Sequence, residues 1–197
     1  VDHDRHADQP RPRRQIDRAA VPVADCVGAD AGEWADDGAA GGDPPDAVRN
    51  LPSLKYVHPL LQSKWLTSNS YNRGTSPERV AHFEKVIDFN LLLVKAFKEA
   101  GVPIVAGTDA GTSGVVWGFS LHDEVELLVK AGLTTEEALA SATRLPATWL
   151  GISDKVGTVE VGKYADLLLL DANTLNDIDH TRKISGVFVN GYWIDKE

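Results

Sequence analysis

The chain contains no methionine and one cysteine, Cys26. A single thiol cannot close an intrachain disulfide, and no metal site of clustered thiolates can be built around it. No apolar run approaches the roughly 20 residues of a membrane-spanning helix. The N-terminus is charged from its first residues and has no apolar stretch of signal-peptide type. A surplus of positive charge is missing too: 20 Lys and Arg stand against 29 Asp and Glu, for a formal net charge of −9. That balance argues against a nucleic-acid surface and against an anionic membrane surface as partner. None of the six histidines forms a His-x-His pair, and there are no internal repeats. The absence of an initiator methionine gives the expectation that the chain begins inside a longer reading frame, which leaves localisation open.

What is present fits one well-buried domain with a small second unit: 197 residues, 43% of them hydrophobic. A complete eight-stranded α/β barrel needs about 250 residues, so a full barrel with extra strands does not fit. Residues 1–46 are dense in Asp, Arg, Ala, Gly and Pro and hold no period of two or 3.6. They read as a low-complexity segment, either disordered or an artefactual, wrong-frame translation of a GC-rich gene. His3 and His6 lie there with nothing to position them.

Order is expected from about Val48. The run LPSLKYVHPLLQSKW reads as an irregular packed segment or short helix. Thr75-Ser76-Pro77-Glu78 then looks like a helix start. That helix should run to about Ala100 on an apolar face of Val80, Phe83, Val86, Ile87, Asn90, Leu91, Val94 and Phe97, with Gly101 and Pro103 ending it. A second helix is expected over Leu121–Ala131 with an inner stripe of Leu121, Val125, Leu128 and Val129, stopped by Gly132. Thr134 to Glu137 form a capping box that opens a third helix through about Thr143. Pro146–Leu150 adds a short turn closed by Gly151. Beyond it, GTVEVGKYADLLLLD and ISGVFVNGYWID are rich in strand formers, and Asn190-Gly191 signals a hairpin.

The most informative stretch is GVPIVAGTDAG, Gly101–Gly111. A short apolar run, Val102–Ala106, reads as a buried parallel strand that delivers the Asp109 carboxylate into a glycine-rich loop. Strand ends of this kind carry catalytic groups in barrel enzymes, because the strand fixes position and the loop admits substrate. Asp109 is therefore the candidate for chemistry, against the alternative that it caps a turn. Gly107 and Gly111 leave room for close backbone approach. Trp117 and Phe119, after the loop, are candidates to wall a substrate pocket or to pack beneath it.

The order GTDAG, FSLHDEVELLVKAGLTTEEALASATRLPATWLGI, GTVEVGKYADLLLLD and VFVNG resembles the C-terminal part of metal-dependent amidohydrolases. Within them it is most similar to the imidazolonepropionase-like and prolidase-like branch, over roughly residues 47–197. The resemblance implies an α/β fold: the C-terminal portion of a TIM-like barrel over 47–152, with a small β-sandwich portion over 153–197. It makes Val102–Asp109 the eighth barrel strand and Asp109 a metal-binding and proton-handling aspartate. It implies a divalent metal, zinc foremost, and a small-molecule amide, cyclic amide or dipeptide as substrate. Metal-activated hydroxide would attack the carbonyl while Asp109 moves the proton. His122 falls in the segment after the strand-eight loop, where packing or support of that loop outweighs a metal role. His58, His82 and His180 read as structural or solvated.

The family's His-x-His pair is absent here, nothing upstream of residue 100 supplies strands one to seven, and Asp109 alone falls short of three protein ligands. The expectation is a hydrolase fragment that is inactive and binds no metal tightly by itself. The alternatives are a non-enzymatic interaction module or one part of a split enzyme completed in trans. Assembly with further copies of itself stays open.

Overall fold

A computed structural model of the chain describes residues 21–22, 46–67 and 77–195. Strand β1 is Val21–Pro22, and helix α1 is Asp46–Asn50. A 3-10 turn at Pro52–Tyr56 leads into helix α2, Pro59–Thr67. The long helix α3 is Pro77–Glu99 and is followed by strand β2, Ile104–Val105. Helices α4 (Ser120–Lys130), α5 (Thr135–Ala142) and α6 (Arg144–Leu150) come next. Strand β3 (Leu167–Leu170), a second 3-10 turn (Ile178–Arg182), and strands β4 (Ile184–Val189) and β5 (Tyr192–Asp195) complete the described chain. Among the described residues, no helix is long and apolar enough to cross a membrane.

One core joins α3, β2, α4 and α5. Val94, Ile104, Val125, Leu128, Ala131, Leu133, Ala138 and Ile178 are buried together, with Leu91 and Phe97 packed against them. The C-terminal half of α3 supplies this face at helical spacing, as expected. Its more N-terminal Val86 is exposed, as are Phe89 and Leu92. The helix–helix junctions are fixed by local chemistry. Thr134 and Glu137 form the capping box read from sequence: the Glu137 amide donates to Thr134 Oγ1 at 3.2 Å and the Thr134 amide to Glu137 Oε2 at 2.7 Å. Lys98, at the end of α3, donates to the Gly132 carbonyl at 2.7 Å and pairs with Glu137 at 2.8 Å. One lysine thus ties the end of α3 to the start of α5.

A second cluster, Val48, Leu54, Val57, Trp65 and Val116, packs the segment 46–67 against the loop that follows β2. Val21–Pro22 lies within the stretch expected to lack regular structure, and it runs parallel to β2, with Val21 opposite Ile104 and Pro22 opposite Val105. The remaining residues of 1–45, Thr75 and Ser76 of the expected helix start, His3, His6 and Cys26 lie outside the described residues.

The C-terminal unit is a three-stranded antiparallel sheet in the order β3-β4-β5. Asn190 and Gly191 have φ of 51° and 80°, the positive values that the hairpin signal required. Two expectations need correction. Thr158–Val161 form no strand despite their composition, and Val159 and Val161 are exposed. A strand needs a hydrogen-bonded neighbour, and none lies beside them among the described residues. The inner stripe of α4 also differs: Leu121 is exposed, and the buried face runs through Ser120, Glu124, Val125 and Leu128.

Within the sheet, Trp193 of β5 lies across Gly186 of β4 and against Phe188, with ring centroids 4.9 Å apart. A Cβ on Gly186 would stand 2.0 Å from the indole Cη2. Gly186→Ala should therefore displace Trp193 and destabilise the chain by about 1–3 kcal/mol, as overpacking does. Chemical denaturation with Trp fluorescence would check this, and wild-type stability with unchanged emission would contradict the packing described.

Candidate active site

The strand end and its loop are built from backbone restraints on both sides. The Ala106 amide donates to the Ser141 carbonyl of α5 at 2.9 Å, and the Gly107 amide donates to Glu124 Oε1 of α4 at 3.2 Å. Beyond them the Asp109 carbonyl accepts from Thr112, from both its amide and its Oγ1 at 3.4 Å. The Gly111 amide donates to the Val115 carbonyl at 2.9 Å. Asp109 is exposed, and its φ is 47°. A non-glycine residue in that left-handed region costs about 1–2 kcal/mol and persists when its flanks are held.

The loop beyond Asp109 is packed from below. Ser113, Val115 and Val116 are buried, and Val116 belongs to the cluster with Trp65. Trp117 and Phe119 are exposed. The structure brings Gly111 and Trp117 together: a Cβ at Gly111, where φ is 111°, would lie 2.7 Å from Trp117 Cζ2. Phe119 stacks on Tyr56 with ring centroids 5.4 Å apart. Phe119 therefore packs against the 46–67 segment, while the Trp117 indole covers the glycine two residues after Asp109.

Glu124, a polar residue outside the apolar stripe expected for α4, lies on the helix's inner face. It is fully buried, on the same face as Leu128 one turn later. Its Oε2 has no hydrogen-bond partner among the described residues, and neither does Ser120 Oγ one turn earlier. Burial pushes its carboxyl up from the ordinary value of 4.5 to about 7, opposed by the bond from the Gly107 amide. One hydrogen bond contributes about 1 kcal/mol net, whereas a buried unsatisfied oxygen costs about 1–3 kcal/mol. Stability alone thus does not account for a glutamate here. Helical spacing carried the signal for it, since position 124 lies four before Leu128.

His122 Nδ1 lies 2.9 Å from Thr181 Oγ1 of the second 3-10 turn. Burial holds its imidazole below the ordinary value, helped by the Arg182 charge and opposed by Asp123 and Asp179. Arg182 pairs with Asp123 and Glu126 of α4 and with Asp179. His122 therefore belongs to the joint between α4 and the turn that enters the sheet. His58 accepts from the Leu60 amide, and His180 pairs with the Asn173 carbonyl at 2.8 Å. His82 is exposed on α3. Among the described residues no three His, Cys, Asp or Glu side chains come together to hold a metal ion. Asp109 supplies one carboxylate, and that donor set does not by itself fit a divalent cation.

The amidohydrolase family pattern matches residues 76–194, which include β2, the Asp109 loop and the sheet. The chain belongs to the amidohydrolase family. This amidohydrolase chain is 40% identical over 79 residues to the 5'-deoxyadenosine deaminase of Methanobrevibacter smithii, a match covering 39% of the chain and 18% of that protein. It is 37% identical over 105 residues to the imidazolonepropionase of Maricaulis maris, covering 51% of the chain and 26% of that protein. Among solved structures, a Xaa-Pro dipeptidase with bound methionine superposes with a TM-score of 0.54 at 28% identity, over 70% of this chain and 32% of that one. The chain thus spans less than a third of the length of each of these relatives. The branch read from motif order, with imidazolonepropionase and prolidase-type neighbours, agrees with these matches.

Glu124 should give the amidohydrolase chain a pH-dependent stability. Its native carboxyl keeps a proton to higher pH than the unfolded chain does. Between about pH 4.5 and pH 7 the native state therefore binds more protons, and stability falls as pH rises, by about 3 kcal/mol. Glu124→Gln should flatten that part of the profile. Denaturant midpoints from pH 4 to pH 8 would check it, and the same slope in both proteins would show that burial does not raise this carboxyl.

Proposed function

We propose that the chain is the C-terminal part of a metal-dependent hydrolase of carbon–nitrogen bonds and is inactive alone. In this reading residues 47–152 are a portion of its TIM-like barrel, residues 153–197 a portion of a β-sandwich, and β2 is the last barrel strand. The observation that carries the reading is Asp109, exposed in the glycine-rich loop directly after a parallel strand, with the family pattern running through it. In the completed enzyme Asp109 would be the catalytic and metal-binding carboxylate, placed to accept the proton of the attacking water and return it to the leaving nitrogen. The exposed Trp117 indole and Gly111 beside it form one wall of the substrate site. His122 supports the loop indirectly, through the placement of α4. The substrate is a small amide, cyclic amide or dipeptide, a class in keeping with the names of the imidazolonepropionase and dipeptidase relatives. Any metal, zinc foremost, takes its further ligands from outside the described residues.

Two experiments test this. The purified chain should bind zinc or manganese weakly and without fixed stoichiometry in calorimetric titration. A tight 1:1 site lost in Asp109→Ala would contradict the reading of this chain as incomplete. In a protein completed with the missing upstream strands, Asp109→Asn should lower turnover on the order of 10²-fold or more, as removal of a positioned proton acceptor does. Asp171→Asn, just after β3, where Asp171 accepts from Ser185, should change turnover little. Equal losses in the two variants, or near-normal turnover in Asp109→Asn, would reduce GTDAG to a strand-ending turn.

A further inference from the structure

We propose that Glu124 is a positioning residue: from the buried face of α4 it holds the Gly107 amide and so fixes the strand end that presents Asp109. The residue stands where helical spacing calls for an apolar side chain, next to Val125 and one turn before Leu128, yet it is fully buried with one oxygen on Gly107 and the other without a partner among the described residues. Buried glutamates are rare because burial disfavours their charge and leaves lone pairs unsatisfied. What Glu124 offers that leucine cannot is an acceptor for a main-chain amide at the end of the strand. Two successive amides there are held by helices, Ala106 by the Ser141 carbonyl and Gly107 by Glu124. Immediately beyond them the chain turns into the left-handed backbone of Asp109 and returns through the bond from the Thr112 amide to the Asp109 carbonyl. A free Gly107 would move the nearest anchor before that turn back to Ala106, and the Asp109 carboxylate would sample more directions.

The inference rests on the reading of Asp109 above for its purpose, but the anchor can be tested without turnover. Amide hydrogen exchange of the full chain, followed residue by residue by NMR, reads it directly. In the wild type the Gly107 amide should be protected although it lies in no ladder. Glu124→Leu keeps the volume without the acceptor; it should speed exchange at Gly107 at least about tenfold, and at Thr112 with it, while Leu128 and Ala138 amides stay as in the wild type. Glu124→Gln keeps the oxygen and should restore protection at both positions. The proposal is overturned if Gly107 exchanges in the wild type as fast as an open loop amide, a result that needs no variant to fold. It is also overturned if Glu124→Leu leaves Gly107 protected, if Gly107 is released without Thr112, or if Glu124→Gln behaves as the leucine variant does. Asp109→Asn should keep Gly107 protected whatever it does to turnover, so failure of the anchor and failure of the catalytic reading are separate results.

Discussion

The placement of the strand end depends on helices rather than on a sheet. Strand β2 is two residues long, and its partner among the described residues is β1, where Pro22 has no amide proton to donate. A strand inside a barrel is held along both edges by ladders. Here the amides of Ala106 and Gly107, which lead into the Asp109 loop, are taken by α5 and α4. Those bonds can form only while the helices keep their packing on Ile104. Leu128 of α4 and Ala138 of α5 are fully buried in that same cluster. Truncating a buried leucine such as Leu128 typically costs about 2–5 kcal/mol, more than the roughly 1 kcal/mol net of a typical hydrogen bond. The core sets where the helices sit, and the helices set where the strand ends.

Helix α4 carries a second connection, to the 3-10 turn Ile178–Arg182. Arg182 reaches Asp123, Glu126 and Asp179, and His122 meets Thr181. Ion pairs this exposed contribute little, with a median near 0–1 kcal/mol. The apolar contact decides the docking: Ile178, from the same 3-10 turn, is buried in the core with Val125 and Leu128. The polar groups around it then select one rotation of the turn, much as charged rims select register elsewhere. Strand β4, the middle strand of the three-stranded sheet, leaves this turn directly, so one helix orients both the strand end and the entry to β4.

Features carried by local chemistry were legible in the sequence. The Thr134–Glu137 capping box, the left-handed Gly151 closing α6 and the Asn190-Gly191 hairpin each depend on residues within one turn of chain. Features that depend on a distant partner were not. Val159 and Val161 have strand composition, but composition supplies no neighbour. Glu124 breaks the apolar stripe of α4, and its partner, Gly107, is 17 residues away, so local pattern does not reveal its role. Asp109 was legible as a carboxylate in a glycine-rich loop, whereas its left-handed backbone arises from bonds on both flanks that the motif does not encode. Trp117 and Phe119 looked alike in sequence. They part in the structure because only Phe119 has the Tyr56 ring within stacking distance.

The division of labour proposed for Asp109 follows from what one strand can supply. Barrel active sites draw reacting groups from the ends of several strands, and substrate preference comes from several loops. A single exposed carboxylate is surrounded by water, which screens its charge and competes for its hydrogen bonds. Enclosed by further strands, the same group would act in a drier site, where fixed charges and dipoles stabilise a transition state far more strongly. A single strand can contribute direction but not that enclosure. The left-handed turn at Asp109, the two held amides before it and the packed loop after it all act on direction. A proton acceptor displaced by 1 Å loses much of its effect, so restraints on aim are the part of catalysis that a strand end and its two following helices can carry.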